Sequence, residues 1–197
     1  MRPYEAIVAA GFDLQIDCLD LAMGRHIQYA NLELPEFRKR AIKHVEALNH
    51  ALAEIPAERA RVHVCWGNYE GPHHCDVPLT DIVDIIFRVR PASISIEAAN
   101  PRHAHEWALF ETIKLPEGKI LIPGMIKSQS NLIEHPELIA NRISNYANLV
   151  GRENVIAGSD FGYGTWVGQA LVDPDIVWAK FAALAEGARI ATRRFWK

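Results

Sequence analysis

The stretch RVHVCWGNYEGPHHC, Arg61 to Cys75, holds three of the chain's nine histidines and two of its three cysteines. Three readings fit that density: a metal site, a nucleophile with its base, or a coincidence of buried residues. In a strand, residues two apart point to the same side, so His63 and Cys65 would project together. Ser93, Ser95 and Glu97 of SISIE would share a face in the same way. A histidine, a thiolate and a carboxylate from neighbouring strand ends can make a zinc site. Magnesium and calcium prefer oxygen, so the mixture suits zinc better. A thiol bound there would be deprotonated. A His63–Cys65 nucleophile pair fits less well, because same-face neighbours stand side by side and do not aim a base at a nucleophile. The bland alternative is a buried cysteine and a hydrogen-bonded histidine. The pair His73-His74 lies in a Pro-flanked loop and is expected at the surface.

The elements that must position these residues alternate. FDLQID (Phe12–Asp17), RVHVC (Arg61–Cys65), ASISIE (Ala92–Glu97), KILIPG (Lys119–Gly124) and NVIAGSD (Asn154–Asp160) read as strands. Between and after them, LPEFRKRAIKHVEALNHALAEI, LTDIVDIIFRV, HAHEWALFETI, HPELIANRISNYANLV and DPDIVWAKFAALAEGARIATRRF read as helices. Pro136 fits a first turn, and Asp173-Pro174 an N-cap and first residue. An opening helix is expected over Pro3–Ala10. Strict alternation implies an α/β fold with a parallel sheet covered by helices. Such folds place chemistry at the carboxyl ends of strands. Asp17, His63, Cys65, Glu97, Gln129 and Asp160 all fall at or just beyond those ends.

The 197 residues are enough for one domain, expected over 1–197. Hydrophobic residues at 49% and charged residues at 23% are a globular profile, and the net charge is −3. No concentrated basic patch suggests nucleic acid. The basic run Arg189–Lys197 fits a solvated helix end. No segment has the length of a membrane span, no secretory leader is expected, and three cysteines do not form a disulfide framework. A cytoplasmic location is expected.

The order of these motifs resembles the cobalamin-independent methionine synthase family, in its catalytic carboxyl-terminal barrel domain. His63-x-Cys65 comes first, SISIE ending at Glu97 follows one β-α unit later, and IAGSDFGYGT closes the last strand. The stretches LQIDCLDLAMGRH, HVCWGNYEGPHH, EAANPRHAHEW and LIPGMIKSQSN are similar to a bacterial branch of short, single-barrel homologues, along essentially the whole chain. The resemblance implies a TIM-type β/α barrel, of which five of eight units are present here. A missing amino-terminal half, or a homo-oligomer, is the implied partner. It implies zinc, with His63, Cys65 and Glu97 as ligands, activating a small-molecule thiol. The methyl donor would be N5-methyltetrahydrofolate or a relative, the acceptor homocysteine or a similar thiol. Asp17 matches the aspartate that holds the amino group of homocysteine. Ser95 and Trp66 are placed at the substrate, where Trp66 could stack on a pteridine or pack its loop. Asp160 and Gln129 take the catalytic positions.

Two residues depart from the family. Its second cysteine ligand lies in an Asp-Cys-Gly turn, which here reads Asp160-Phe161-Gly162. A replacement ligand could be Asp160, Cys18 or Cys75, or the site could stay three-coordinate with water and substrate. A histidine thought to act as acid is replaced near Gln129, and a glutamine hydrogen-bonds but supplies no proton at neutral pH.

Overall fold

The computed structural model describes residues 3–168 and 171–196. The chain divides into two compact units: Met1–Gly67 with His73–Ser95 and Pro116–Ile120, and Asn68–Pro72 with Ile96–Leu115 and Leu121–Lys197. Five parallel strands run in sequence order, β1 to β5. No helix among the described residues is long and apolar enough to cross a membrane.

In the first unit, α1 (Pro3–Ala9) leads into β1 (Leu14–Cys18), then α2 (Leu34–Ala51) and β2 (Ala60–Val64). Pro35 opens α2, and Phe37, Ala41 and Val45, four apart, form its buried face. Leu14, Leu52, Ile55 and Ala60 make a core against which Val8, Ile16 and Leu48 pack. Burying a leucine of this kind stabilises by about 1.5–3 kcal/mol. β1 and β2 pair so that Asp17 stands opposite His63. β2 pairs with the start of β3 (Ser93–Ile96), placing Ser95 opposite His63. Asp17, His63 and Ser95 therefore form one row across three strands.

The helix expected over LTDIVDIIFRV is shorter. A 3-10 turn at Leu79–Asp81 precedes α3 (Val83–Ile86), and Ile82 between them leaves the helical region at φ −133°. Leu79, Ile82, Val83, Ile85, Ile86 and Val89 are all buried. That set is wider than one helical stripe, so packing decides the local form over propensity.

In the second unit, β4 (Ile120–Ile126), whose first residue belongs to the first unit, is followed by α4 (Pro136–Val150), β5 (Gly158–Ser159) and α5 (Pro174–Phe195). Both long helices are capped, the second at the Asp173 the sequence suggests and the first at His135, which it does not. His135 Nδ1 accepts from the Glu137 amide at 3.1 Å, and Asp173 Oδ1 from the Asp175 amide at 2.9 Å. The two helices meet closely at Gly187, where an added Cβ would lie 2.4 Å from Ile139 Cγ2. The helix expected over HAHEWALFETI is a 3-10 segment, Glu106–Glu111, preceded by a buried His103–Glu106 pair at 2.8 Å. The expected strand Asn154–Asp160 shrinks to two residues and an isolated bridge, Leu121 to Val155, because the register with β4 shifts between Gly124 and Ile126. In the basic carboxyl-terminal run, Arg189 and Arg193 pair with Glu186, and Arg194 with Glu137 at 2.5 Å; Lys197 lies outside the described residues.

Candidate metal centre

β2 ends in a buried Val-His-Val run with Cys65 directly after it, and His63 and Cys65 are almost wholly removed from solvent. On the neighbouring strand the Asp17 carboxylate reaches across the register pair. His63 Nδ1 donates to Asp17 Oδ1 at 2.8 Å. One ligand atom each from Asp17, His63 and Cys65 lie within 4.8 Å of one another, the group among the described residues that could hold a metal ion. All three belong to the first unit. The donors are an imidazole nitrogen, a sulfur and a carboxylate oxygen, a set that fits zinc. With Nδ1–H on a carboxylate, the tautomer leaves the metal-binding lone pair of the ring on Nε2. Asp17 Oδ2 accepts no hydrogen bond among the described residues.

The β1 carboxyl end is tied to this corner by backbone: the Cys65 amide donates to the Cys18 carbonyl at 3.4 Å and the Met23 amide to the Cys65 carbonyl at 2.9 Å. Burial pushes the Cys18 thiol up to about 12, with Asp20 and Asp17 adding to it. Cys18 therefore stays a neutral thiol at ordinary pH, and neither it nor exposed Cys75 belongs to the metal group. Ser95, in the row beside His63, is buried. Trp66 is wholly buried, and its Nε1 donates to the Val77 carbonyl at 2.7 Å. Its ring packs the loop, with no face open for stacking.

The His73-His74 loop corrects one expectation. His74 is exposed, but His73 is buried and adopts φ 52°, in the left-handed region. Its Nδ1 donates to the buried Asp76 Oδ2 at 2.7 Å. That bond offsets the backbone strain of a non-glycine residue there. His26 approaches the other Asp76 oxygen at 3.5 Å, and burial, the largest influence, lowers the His26 pKa.

In the second unit, Glu97 is buried and its Oε2 accepts from Asn100 Nδ2 at 3.0 Å. Asp160 is buried too. Its Oδ1 accepts from the Ala98 and Ala99 amides, both at 2.9 Å, and its own amide donates to the Ile126 carbonyl at 3.0 Å. Burial is the main influence on this carboxyl and raises its pKa against the lowering effect of those amides. Asp160 thus fixes the turn directly after Glu97. Phe161 is buried. Gln129 is buried with neither amide atom hydrogen-bonded among the described residues. Next to it, Ser128 Oγ donates to Asn68 Oδ1 at 3.1 Å, and Asn68 Nδ2 to the Gly162 carbonyl at 2.9 Å.

Sequence reasoning did not find the His63–Asp17, His73–Asp76 and Asp160–Ala98/Ala99 links. Only the second has a local signal, a His-x-x-Asp spacing in a loop.

No protein-family model matches the chain, and no curated protein matches it. A solved structure does: a B12-independent methionine synthase from Shewanella sp. W3-18-1 in complex with selenomethionine. The TM-score is 0.68 at 17% identity, over 96% of this chain and 51% of that one. This chain spans about half the length of the solved one. At that identity the likeness is one of fold, and with the sequential parallel strands it makes the chain an incomplete set of β/α units of a TIM-type barrel, in the arrangement of a B12-independent methionine synthase.

Proposed function

We propose that this chain carries the metal-binding part of a zinc-dependent thiol alkyltransferase of the cobalamin-independent methionine synthase family. The Asp17–His63–Cys65 group at the ends of adjacent parallel strands carries the reading. Bound zinc would hold an acceptor thiol as thiolate at neutral pH. His63 offers Nε2 and Cys65 its sulfur; Glu97 is the further family ligand. Asp17 Oδ1 orients the His63 ring, the role that carboxylates play behind metal-bound histidines. Asp17 Oδ2 then remains for the ammonium of a homocysteine-like acceptor. Ser95 borders the acceptor. Gln129 offers a donor and an acceptor to a methyltetrahydrofolate-like donor, and Asp160 holds the Glu97 turn from the catalytic position. Trp66, fully buried, supports the loop.

The test is metal analysis of purified protein after dialysis against zinc. Stoichiometric zinc in the wild type, lost in His63→Ala and Cys65→Ser, is expected, with proton release when homocysteine is added. Equal zinc in wild type and both variants would sink the reading.

A second reading has its own support. The chain covers 51% of the solved relative, and β1 and β5 stand at the two ends of the strand order. End strands present unpaired backbone groups that invite pairing. The chain is then an impaired or partner-dependent piece that completes its sheet with another polypeptide or a second copy. Light scattering on a size-exclusion column separates the cases: a monomer of 22.1 kDa that unfolds cooperatively removes this second reading.

A further inference from the structure

A cavity of about 410 Å³ opens in the first unit, between the segment after β1 and the loop after β2. None of the metal group lines it. Its volume is in the range of small-molecule sites. Ala30, Leu34, Val77 and Pro78 give it an apolar wall, Arg25 a positive charge and Asp81 a negative one. Asp76 and His26 also line it, and both are engaged at the His73 corner.

Arg25 is held through its side chain and Asp81 through its backbone, and among the described residues the two charges are not used on each other. Arg25 donates one N–H to the Tyr29 carbonyl at 3.2 Å and lies 5.9 Å from the Phe37 ring centre. Among the described residues it makes no ion pair, so most of its guanidinium fork is left to bind something else. The Asp81 carboxylate accepts no hydrogen bond and makes no ion pair among those residues. Its neighbour Arg38 grips the Asp84 carboxylate through two bonds, at 2.9 and 2.8 Å, and gives an N–H to the Asp81 backbone carbonyl. Trp66 fixes Val77 through its carbonyl. The walls are therefore preorganised, which spares a ligand the cost of ordering them.

We propose that this cavity binds a free α-amino acid with an apolar side chain, its carboxylate on Arg25 and its ammonium on Asp81. A guanidinium and a carboxylate on one apolar-walled cavity complement a zwitterion. A simple anion would meet Asp81, and a simple cation Arg25. The site is independent of the metal reading and stands or falls without it.

L-leucine is a suitable probe, since it carries no sulfur to seek a metal. Calorimetric titration of the full chain should show saturable one-to-one binding. N-acetyl-L-leucine and L-leucinamide, each lacking one charge, should bind about ten- to a hundredfold more weakly, as expected for losing a hydrogen-bonded charge. Arg25→Gln should erase the preference for leucine over leucinamide, and Asp81→Asn that over N-acetyl-leucine. Exposed Cys75 lies on the cavity wall, so leucine should slow its alkylation by iodoacetamide in the wild type. No saturable leucine binding at millimolar concentration, or equal affinity for the three compounds, overturns the proposal. The analogue series needs no variant, so a misfolded mutant does not shelter it.

Discussion

The Oδ1 atom of Asp160 fills the space that a side chain at Gly124 would need: a Cβ there would lie 1.9 Å from it and 2.7 Å from the Asp160 amide. Glycine is required at 124 by close approach of the next strand end, where Asp160 caps the turn after Glu97.

Gly124→Ala should therefore lower stability by about 2–4 kcal/mol in urea denaturation, as overpacking at a fixed backbone does. Asp160→Ala should cost about 1–3 kcal/mol for each stranded amide at Ala98 and Ala99. The double variant should be more stable than the sum of the two, because removing the carboxylate makes room. Strict additivity would show that the two positions do not meet.

Asp160→Asn should behave differently, keeping an acceptor for both amides and shedding a buried charge. Burial raises the Asp160 pKa in the folded chain. A raised folded pKa means stability that is full below the unfolded value near 4 and is lost as pH rises through the folded value. The asparagine variant should therefore gain on the wild type as pH rises above about 4. A thermal-unfolding series from acid to neutral pH reads this, and an unchanging gap across that range would contradict it.

Arg38 and Asp84 pin α2 to α3, and the hydrogen bond to Arg38, the largest influence, lowers the Asp84 pKa. The stability this gives is present above the unfolded carboxylate pKa and is lost as pH falls through the lower folded one. Both side chains are partly exposed, so Asp84→Asn should cost at most about 1 kcal/mol at pH 7. As pH falls through the folded value, below the ordinary carboxylate range, the difference should vanish. Added salt should shrink it too.

Lys180 is fully buried on α5 and pairs with Glu134 at 2.8 Å, also donating to the Leu132 carbonyl. Glu134 Oε1 accepts from the Lys127 amide at 2.8 Å. This chain of contacts holds the loop that carries Ser128 and Gln129. Lys180→Met should cost about 3–5 kcal/mol by leaving a buried carboxylate alone. Adding Glu134→Gln should restore part of it; if it does not, the ion pair is not the source of the loss.

Zinc titrations should separate His63 from His73. His63→Ala should abolish stoichiometric binding, whereas Asp17→Asn should weaken it by about 10–100-fold, as the loss of a residue that orients a ligand does. His73→Ala should leave zinc affinity unchanged and lower the melting temperature, because His73 is bonded to Asp76 in its own loop. Competition against a chromophoric chelator measures the first two, calorimetry the third.

The sequence by itself determined what is local. The cap at Asp173, the first-turn place of Pro136, the buried stripe of α2 and the same-side placement of His63 and Cys65 all follow from periods of 3.6 and 2 and from cap chemistry. The tertiary structure decided what depends on register. Asp17 meets His63 because β1 pairs with β2 in that register and no other, a choice set by which faces are buried across forty-six residues of separation. The shortening of β5, the burial of His73 and the capping role of Asp160 have the same origin. Each is fixed by what packs against it from a distant stretch of chain, and no local period carries that information.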